Sequence, residues 1–297
     1  MEKTLPEIYA VVVNWNRKED TIACLGWLSN QVGVIVHIVV VDNGSIDDPN
    51  PAIALSFPTA HFIKLAKNLG FAGGYNAGIR WAIDQGAEYI FIVNNDTLAD
   101  KNLLLSLITN FREGVGIVGP TIFLAASPNE LWSQGGHIDP ILLEARDDHG
   151  RKKQLPLLPE ERDFLSGCAM LIKREVFDQV GIFDERFFLY YEDMDFCLRV
   201  IKKGFHLLIV PQARLYHRVS QSSGGSNSPQ ERYFMAYSSA VYFKKHMRLW
   251  QMPLILIYRF TSAILWTLRL LIHNKINSII AYWKGLFNGW IRGTNLL

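Results

Sequence analysis

Ile90-Phe91-Ile92-Val93-Asn94-Asn95-Asp96-Thr97 is an apolar run that breaks off into two amides and a carboxylate. A buried strand of an α/β sheet reads this way, and the crevice beyond its carboxyl end is where such sheets place ligands. The neighbouring sequence supplies companions. Ile8 to Asn14 reads as a buried strand, Lys18 to Leu28 as a helix, and Val34 to Asp42 as a strand closed by the turn Asp42-Asn43-Gly44-Ser45. His61 to Leu65 is a shorter strand, Gly73 to Gln85 a helix, Tyr89 to Val93 the quoted strand and Asn102 to Phe111 a helix. This alternation predicts βα units around a mostly parallel sheet, a nucleotide-binding type of half-domain.

From Ala125 to Arg162 the periodicity fades into Pro, Gly and mixed charge, including Gln134-Gly135-Gly136-His137 and Arg151-Lys152-Lys153, so a variable loop region is expected there. Order resumes with a strand over Asp163 to Ile172, a helix over Arg174 to Val180, and an acidic helix over Glu192 to Lys203 that Gly204 stops as a C-cap. A strand follows over Phe205 to Val210. Ser220 to Pro229 has the Ser/Gly composition of a mobile loop, and Pro229 suits the first turn of a further helix. No internal repeat is apparent.

At 297 residues, 49% of them hydrophobic, the chain can bury a sizeable core and is not disordered by composition. Three widely spaced cysteines, Cys24, Cys168 and Cys197, fit neither a disulfide framework nor a zinc cluster, which favours a reducing setting. The N-terminus lacks the apolar core and cleavage site of a signal peptide. Charge is unevenly spread. Glu231 is the last acid, and nine of the 30 basic residues lie beyond it, leaving 21 against 28 acids, about −7, in residues 1 to 231. The expected division is a domain over residues 1–231 and a basic, aromatic helical tail over 232–297, each facing different surroundings.

Several motifs carry chemistry. Phe187-Phe188-Leu189-Tyr190-Tyr191-Glu192-Asp193-Met194-Asp195 sets three carboxylates at a helix mouth behind an aromatic run. Acids in a first turn can simply complement the helix dipole, and one of them can equally be a general base. Asn68-Leu69-Gly70-Phe71-Ala72-Gly73-Gly74-Tyr75-Asn76-Ala77-Gly78 is either a tight packing turn or a place where backbone approaches a phosphate or sugar. It is neither G-x-G-x-x-G at a first strand nor a P-loop, which removes support from dinucleotide and ATP readings. Asp42 can accept from a pyrimidine N3–H or ribose hydroxyls, or form an Asx turn before Gly44. Asp96 is a candidate metal ligand beside two neutral amides, and His217 is either a surface or core-satisfied histidine or a second ligand.

Taken in order, Val11-Val12-Val13-Asn14-Trp15-Asn16-Arg17, Val41-Asp42-Asn43-Gly44-Ser45, the Asn68 to Gly78 segment, Asn94-Asn95-Asp96, Phe164-Leu165-Ser166-Gly167-Cys168-Ala169-Met170, Glu192-Asp193-Met194-Asp195 and His217 resemble the family 2 glycosyltransferases of GT-A fold, most closely a bacterial rhamnosyltransferase-like branch. The resemblance covers about the first 225 residues. It implies an α/β fold with a C-terminal amphipathic helical extension, and inverting sugar transfer from a nucleotide diphosphate donor. Asp193 would be the catalytic base. Asn14, Asp42, Asn68, Gly73, Asn76, Asn95, Asp96 and Gly167 would bind the donor, with Asp42 on the pyrimidine. Ser166, Glu192 and Asp195 would lie on the acceptor side or behind the base. Asp96 and His217 would hold Mg²⁺ or Mn²⁺ against the diphosphate. The usual Asp-x-Asp motif stands here as Asn94-Asn95-Asp96, so the diphosphate itself must complete the metal site. Phe187, Phe188, Tyr190 and Tyr191 are expected to desolvate Asp193 and raise its basicity.

The expected donor is dTDP-rhamnose, with UDP-hexoses as the alternative, and the expected acceptor is a glycan or lipid-linked sugar of a cell-surface polysaccharide. A nucleotidyltransferase would want a Gly-rich loop after the first strand, which Asn14 to Lys18 lacks. A non-catalytic nucleotide-sugar-binding module is the other class, against which Asp193, Asp96 and His217 argue. No nucleic-acid partner is expected; oligomerisation is compatible with the sequence. In the tail, Pro253 to Ile272 is long enough to span a bilayer, but Arg259, Ser262, Arg269 and His273 share an arc of roughly 80° at ~100° per residue. With Tyr282, Trp283, Lys284, Phe287 and Trp290 in the next segment, a helical hairpin lying on the cytoplasmic face of the membrane is expected, a protein interface being the competing use.

Overall fold

A computed structural model describes residues 4–147, 156–219 and 227–292. Strands β1 (Glu7–Asn14), β2 (Ile35–Asp42), β3 (His61–Lys64) and β4 (Tyr89–Asn94) alternate with helices α1 (Lys18–Ser29), α2 (Asn50–Ser56) and α3 (Gly70–Asp84). Then come β5 (Thr97–Ala99), α4 (Leu103–Ile108), β6 (Val115–Leu124), β7 (Ser127–Ser133), β8 (Gly136–Ile138), β9 (Ala145–Asp147), β10 (Glu160–Arg162), β11 (Ala169–Lys173), α5 (Arg174–Val180), α6 (Glu192–Lys202) and β12 (His206–His217). The main sheet runs β10-β12-β6-β11-β4-β1-β2-β3, with β5 on β12 and β7 on β6. Strands β3, β2, β1 and β4 are parallel, and β11 enters antiparallel between β4 and β6. Alternate residues of β1 feed different layers: Ile8, Ala10 and Val12 pack beneath α1, and Val11 packs against α3. Burial on both faces is why these strands read as continuous apolar runs.

The region expected as a variable loop contains β7 to β10, and β6 before it was not anticipated. Nine of the ten residues of β6 are buried, yet Gly116, Gly119 and Pro120 interrupt its apolar pattern, and its pairing with β12 shifts register between Val210 and Arg214. The Asp163 to Ile172 strand is shorter than expected. Regular pairing of β11 starts at Ala169, and Phe164 makes only an isolated bridge to Gly136. Arg151-Lys152-Lys153 and most of the Ser220 to Pro229 segment lie outside the described residues.

Three helices end the chain: α7 (Pro229–His246), α8 (Met252–Ile272) and α9 (Ile276–Arg292). Ser228 caps α7, its Oγ accepting from the Glu231 N–H at 3.1 Å, and Pro229 takes the first position. The boundary expected at residue 231 therefore falls inside a helix. α7 buries Tyr237, Val241, Tyr242 and Phe243 against Phe187. Its far end reaches α6, where Lys245 and His246 approach Asp195 at 2.6 and 2.7 Å. α9 lies on α7 with almost no separation: a Cβ on Gly285 or Gly289 would stand 2.3 and 2.5 Å from the Tyr233 and Tyr237 carbonyl oxygens.

The basic arc expected on α8 does not face outward as one stripe. Arg259 turns inward, its side chain 13% exposed, to meet Glu144 at 3.0 Å and Ser239 at 2.9 Å above the Phe243 ring. Arg232 and Lys245 likewise pair with Glu231, Asp184 and Asp195. Part of the tail's positive charge thus answers the body's acids, because a guanidinium or ammonium drawn into a helix interface needs a carboxylate there. Most of what α8 leaves exposed is apolar, Arg269 being exposed beside it: Ile257, Phe260 and Leu268 are each more than half exposed.

Candidate active site

Register decides which side chains meet. Asn14 stands opposite Asp42 and Val13 opposite Asn94, so β1, β2 and β4 end level. Antiparallel β11 starts at that same edge, with Ala169 opposite Val93, which brings in Ser166, Gly167 and Cys168. β12 also ends there, with His217 opposite Thr97 of β5. A cavity of about 400 Å³ opens over this edge, closed on its far side by the Phe188-Leu189-Tyr190 turn before α6 and by Gln230 of α7.

One corner holds Asp96 and His217, the carboxylate Oδ1 3.0 Å from Nε2 and both residues buried. Burial alone would lower the His217 pKa, but the Cys168 thiol and the Asp96 carboxylate together outweigh it and raise the value to about 10. The Trp132 ring of β7 stands edge-on to the imidazole at 4.6 Å. A divalent cation fits this corner in part. An oxygen and a nitrogen ligand lie side by side, and the His217 Nδ1 is buried without a hydrogen bond. Among the described residues no group of three His, Cys, Asp or Glu side chains is placed to hold a metal, so further ligands must come from whatever binds in the cavity.

The opposite corner is acidic. Asp193 Oδ2 accepts from the Gly167 N–H at 3.0 Å and Oδ1 from the Met194 N–H at 2.8 Å, which fixes the carboxylate against the cavity. A side chain at residue 167 would meet Phe71 at 2.8 Å, so glycine allows this close approach. Tyr190 and Tyr191 both adopt positive φ, 71° and 66°, an arrangement that costs about 1–3 kcal/mol per residue and persists only where surrounding packing enforces it. Only part of the aromatic run faces the cavity. Phe188 and Tyr190 line it, whereas Phe187 and Tyr191 turn away into the α7 interface, since successive residues of the turn cannot all point one way.

Glu192 also lines the cavity, yet it is the carboxyl that burial, and then the Asp193 charge, hold well above the usual glutamate range. Its Oε2 is buried without a hydrogen bond. A raised folded pKa leaves stability unaffected below the unfolded pKa and lowers it increasingly as pH rises toward the folded value. Glu192→Gln removes that loss. Its melting temperature should match wild type near pH 4 and exceed it increasingly toward pH 8, with each kcal/mol worth roughly 2–4 °C. A difference that does not change with pH would show that Glu192 is not held neutral.

Between the corners runs a hydrogen-bonded frame. Asn43 donates to Asn68 Oδ1 at 3.1 Å and to the Gly70 carbonyl at 2.9 Å, and accepts from the Leu69 N–H at 2.9 Å. Gly70, at φ 74°, would place a Cβ 2.1 Å from the Phe188 carbonyl oxygen, so glycine is required there. Asn95 donates to Thr21, Thr21 to Asn14, and Asn14 to Asp42.

Of the residues expected to act, Asn68, Asn95, Asp96, Ser166, Gly167, Glu192, Asp193 and His217 line the cavity. The others do not. Asn14 and Asp42 lie beneath it, fully buried, with Asp42 Oδ1 held by Asn14 and Ser45. Gly73 packs against Leu69 inside α3. Asn76 is consumed in bonds to Phe183 and Glu185, which tie α3 to the segment before α6. Asp195, expected near the acceptor, is fully buried; burial opposes its charge, but His246, Arg199 and Lys245 hold it below the usual carboxylate range. It fastens α6 to α7. Arg17, Asn43, Tyr75 and Trp132 line the cavity without having been assigned there. Tyr75, at i+5 from Gly70 on a glycine-rich helix, reaches Asn94 with its hydroxyl at 3.1 Å.

Comparison with known proteins gives the family and the fold. Residues 9–181 match the model of glycosyl transferase family 2. The chain is 26% identical over 264 residues to the dTDP-rhamnosyl transferase RfbF of Shigella flexneri, covering 85% of this chain and 83% of that protein. It is also 26% identical over 263 residues to the N-acetylglucosaminyl-diphospho-decaprenol L-rhamnosyltransferase of Mycobacterium tuberculosis, covering 74% and 78%. Among solved structures, the mannosyltransferase PcManGT of Pyrobaculum calidifontis, in complex with GDP-Man and Mn²⁺, superposes with a TM-score of 0.59 at 15% identity over 98% of this chain and 78% of that one. The fold is GT-A, with a C-terminal helical extension. The match over more than half of its length places the chain in glycosyl transferase family 2, as a glycosyltransferase similar in sequence to bacterial rhamnosyltransferases.

Proposed function

We propose that this glycosyltransferase moves L-rhamnose from dTDP-rhamnose, with inversion, onto a lipid-linked acceptor at the cytoplasmic face of the membrane. The observation that carries the reading is the Asp193 carboxylate, backbone-anchored and facing a cavity whose other corner holds Asp96 and His217. An acceptor hydroxyl near Asp193 would attack the anomeric carbon as its proton passes to the carboxylate. The bond from that carbon to the diphosphate oxygen breaks, and its electron pair stays on the oxygen. Asp96 and His217 would hold Mg²⁺ or Mn²⁺, which when bound supplies positive charge against the diphosphate. The donor sugar and the acceptor class are supported by similarity to the two rhamnosyltransferases.

The membrane reading is supported by α8, 21 residues long, apolar enough to cross a membrane and mostly unburied, whose exposed face carries no acid. Because one side of α8 is fastened to Glu144 and Ser239, an orientation along the lipid surface is favoured over a span.

A melting screen with nucleotide sugars tests the donor. Near a hundredfold excess over Kd, dTDP-rhamnose should raise the transition by roughly 5 °C, more than UDP- or GDP-sugars do. The transferred sugar should carry the anomeric configuration opposite to the donor's when read by NMR. Stabilisation by a UDP-hexose alone, or retention of configuration, would overturn the respective part.

A further inference from the structure

From the way two arginines are fastened to the Asn94-Asn95-Asp96 turn, we infer that Arg17, with Arg218 beside it, forms a guanidinium clamp for the donor's diphosphate. The inference rests on the donor being a nucleoside diphospho-sugar. As the sugar leaves, the electron pair of the broken bond adds negative charge to the diphosphate. Two of the three residues in the turn are amides, and Asp96 is itself anionic beside such a group. Among the described residues that line the cavity, Arg17 is the one guanidinium, and no lysine joins it.

Asp20 holds the pair together. One of its oxygens takes Arg17 Nε at 2.8 Å and the other Arg218 Nη1 at 3.1 Å. Two cations thus share one carboxylate and leave a net positive charge next to Asp96 and His217. Each is also tied by its backbone to the Asn94-Asn95-Asp96 turn that lines the cavity. The Arg17 carbonyl accepts from Asn95 Nδ2 at 3.4 Å, and the Arg218 N–H donates to the Asp96 carbonyl at 2.9 Å. The arginine side chains are 42% and 43% exposed, against 14% for Asp20, so the guanidinium forks remain open to a ligand while their counter-ion is screened beneath them. A planar fork of N–H donors matches two phosphate oxygens, which suits it to a leaving diphosphate. The chain that links Asn95 through Thr21 to Asn14 keeps this corner in register with the sheet edge. Such a clamp lets the site bind nucleoside diphosphate with little or no metal, consistent with the two-ligand Asp96–His217 corner.

Calorimetry with dTDP, UDP and GDP in excess EDTA tests it, with folding of each variant checked by its melting transition. Wild type should bind its nucleotide in chelator. Arg17→Gln should weaken binding about 10- to 100-fold, the range for a lost charge-assisted contact, and Arg218→Gln, whose side chain stands outside the cavity lining, less, about 3- to 10-fold. Arg17→Lys, which keeps the charge without the fork, should recover part of the loss. Asp20→Asn separates this role from a merely structural one. It removes the competing negative charge but also loosens the pair's alignment, so binding should fall clearly less than in Arg17→Gln, whereas an arginine that only braces α1 through Asp20 would make Asp20→Asn as harmful as Arg17→Gln. Equal losses in those two variants, or wild-type binding that appears with Mg²⁺ or Mn²⁺ and vanishes in EDTA, would overturn the clamp. No binding of any of the three nucleotides, with metal or without, would instead overturn the donor reading and this inference with it.

Discussion

Asp193→Asn should lower kcat by about 10²-fold or more while leaving donor affinity close to wild type, because the substitution removes proton-accepting capacity from a side chain of unchanged size. The geometry sharpens the expectation. Both carboxylate oxygens of Asp193 accept backbone N–H groups, from Gly167 and from Met194, which hold the carboxylate in place at the cavity wall. An amide can satisfy only one of those N–H groups, so a small drop in melting temperature should accompany the loss of turnover. Donor hydrolysis and transfer should fall together if proton removal limits both. Near-full transfer activity in the variant would take the base away from Asp193, and Glu192 would be the next residue to change. Asp195 is no longer a candidate, because Arg199, Lys245 and His246 occupy it beneath the surface.

How much of this was legible in the sequence depends on the range of the contact. The strands β1, β2 and β4 were readable because each is buried on both faces and ends in a polar residue at the functional edge. Asp96 and Asp193 could be placed at the sheet edge because each stands where a regular element ends or begins, whereas the strand expected to stop at Val210 runs on to His217, which the resemblance alone had pointed to. Asn14 and Asn76 were carried to the donor by the resemblance, and Asp42 by the resemblance and by its place at a strand end. Whether such a group faces a ligand or a neighbouring loop depends on partners such as Ser45 and Glu185, the latter more than a hundred residues away from Asn76. Trp132 was invisible for a different reason: the hairpin that carries it is short, irregular in register and half exposed, so it lacks a period to detect. The charge division misled in part, since net charge by segment cannot distinguish a basic residue facing lipid from one facing an acid across a helix interface, as Arg259 faces Glu144.

That last distinction sets the form of the membrane test. With Arg259, Lys245 and Arg232 paired internally, attraction to anionic lipid is left to residues such as Arg248, Arg269 and Lys284, which are exposed, and the larger share must come from apolar area. Deleting the tail would be a poor experiment, because α9 covers the Tyr233 and Tyr237 carbonyls of α7, and α7 in turn covers Phe187 beside the cavity. Substitution on the outer face is cleaner. Ile257, Phe260 and Leu268 fall on one side of α8 and are 67%, 61% and 52% exposed. Fully burying each is worth roughly 1.5–3 kcal/mol, so replacing all three with Glu should reduce partition onto anionic vesicles by about 10²-fold or more. The melting temperature should hardly change, since none of the three packs inward, and donor hydrolysis should persist. Transfer to a lipid-linked acceptor should fall far more than transfer to a short soluble glycan, because only the former requires the enzyme at the bilayer. If wild type does not sediment with vesicles and instead forms a dimer that the substitutions dissociate, the face is an interface between copies of the chain. The cytoplasmic-face reading would then fall with the membrane reading, while the assignment of Asp193 would stand on its own measurement.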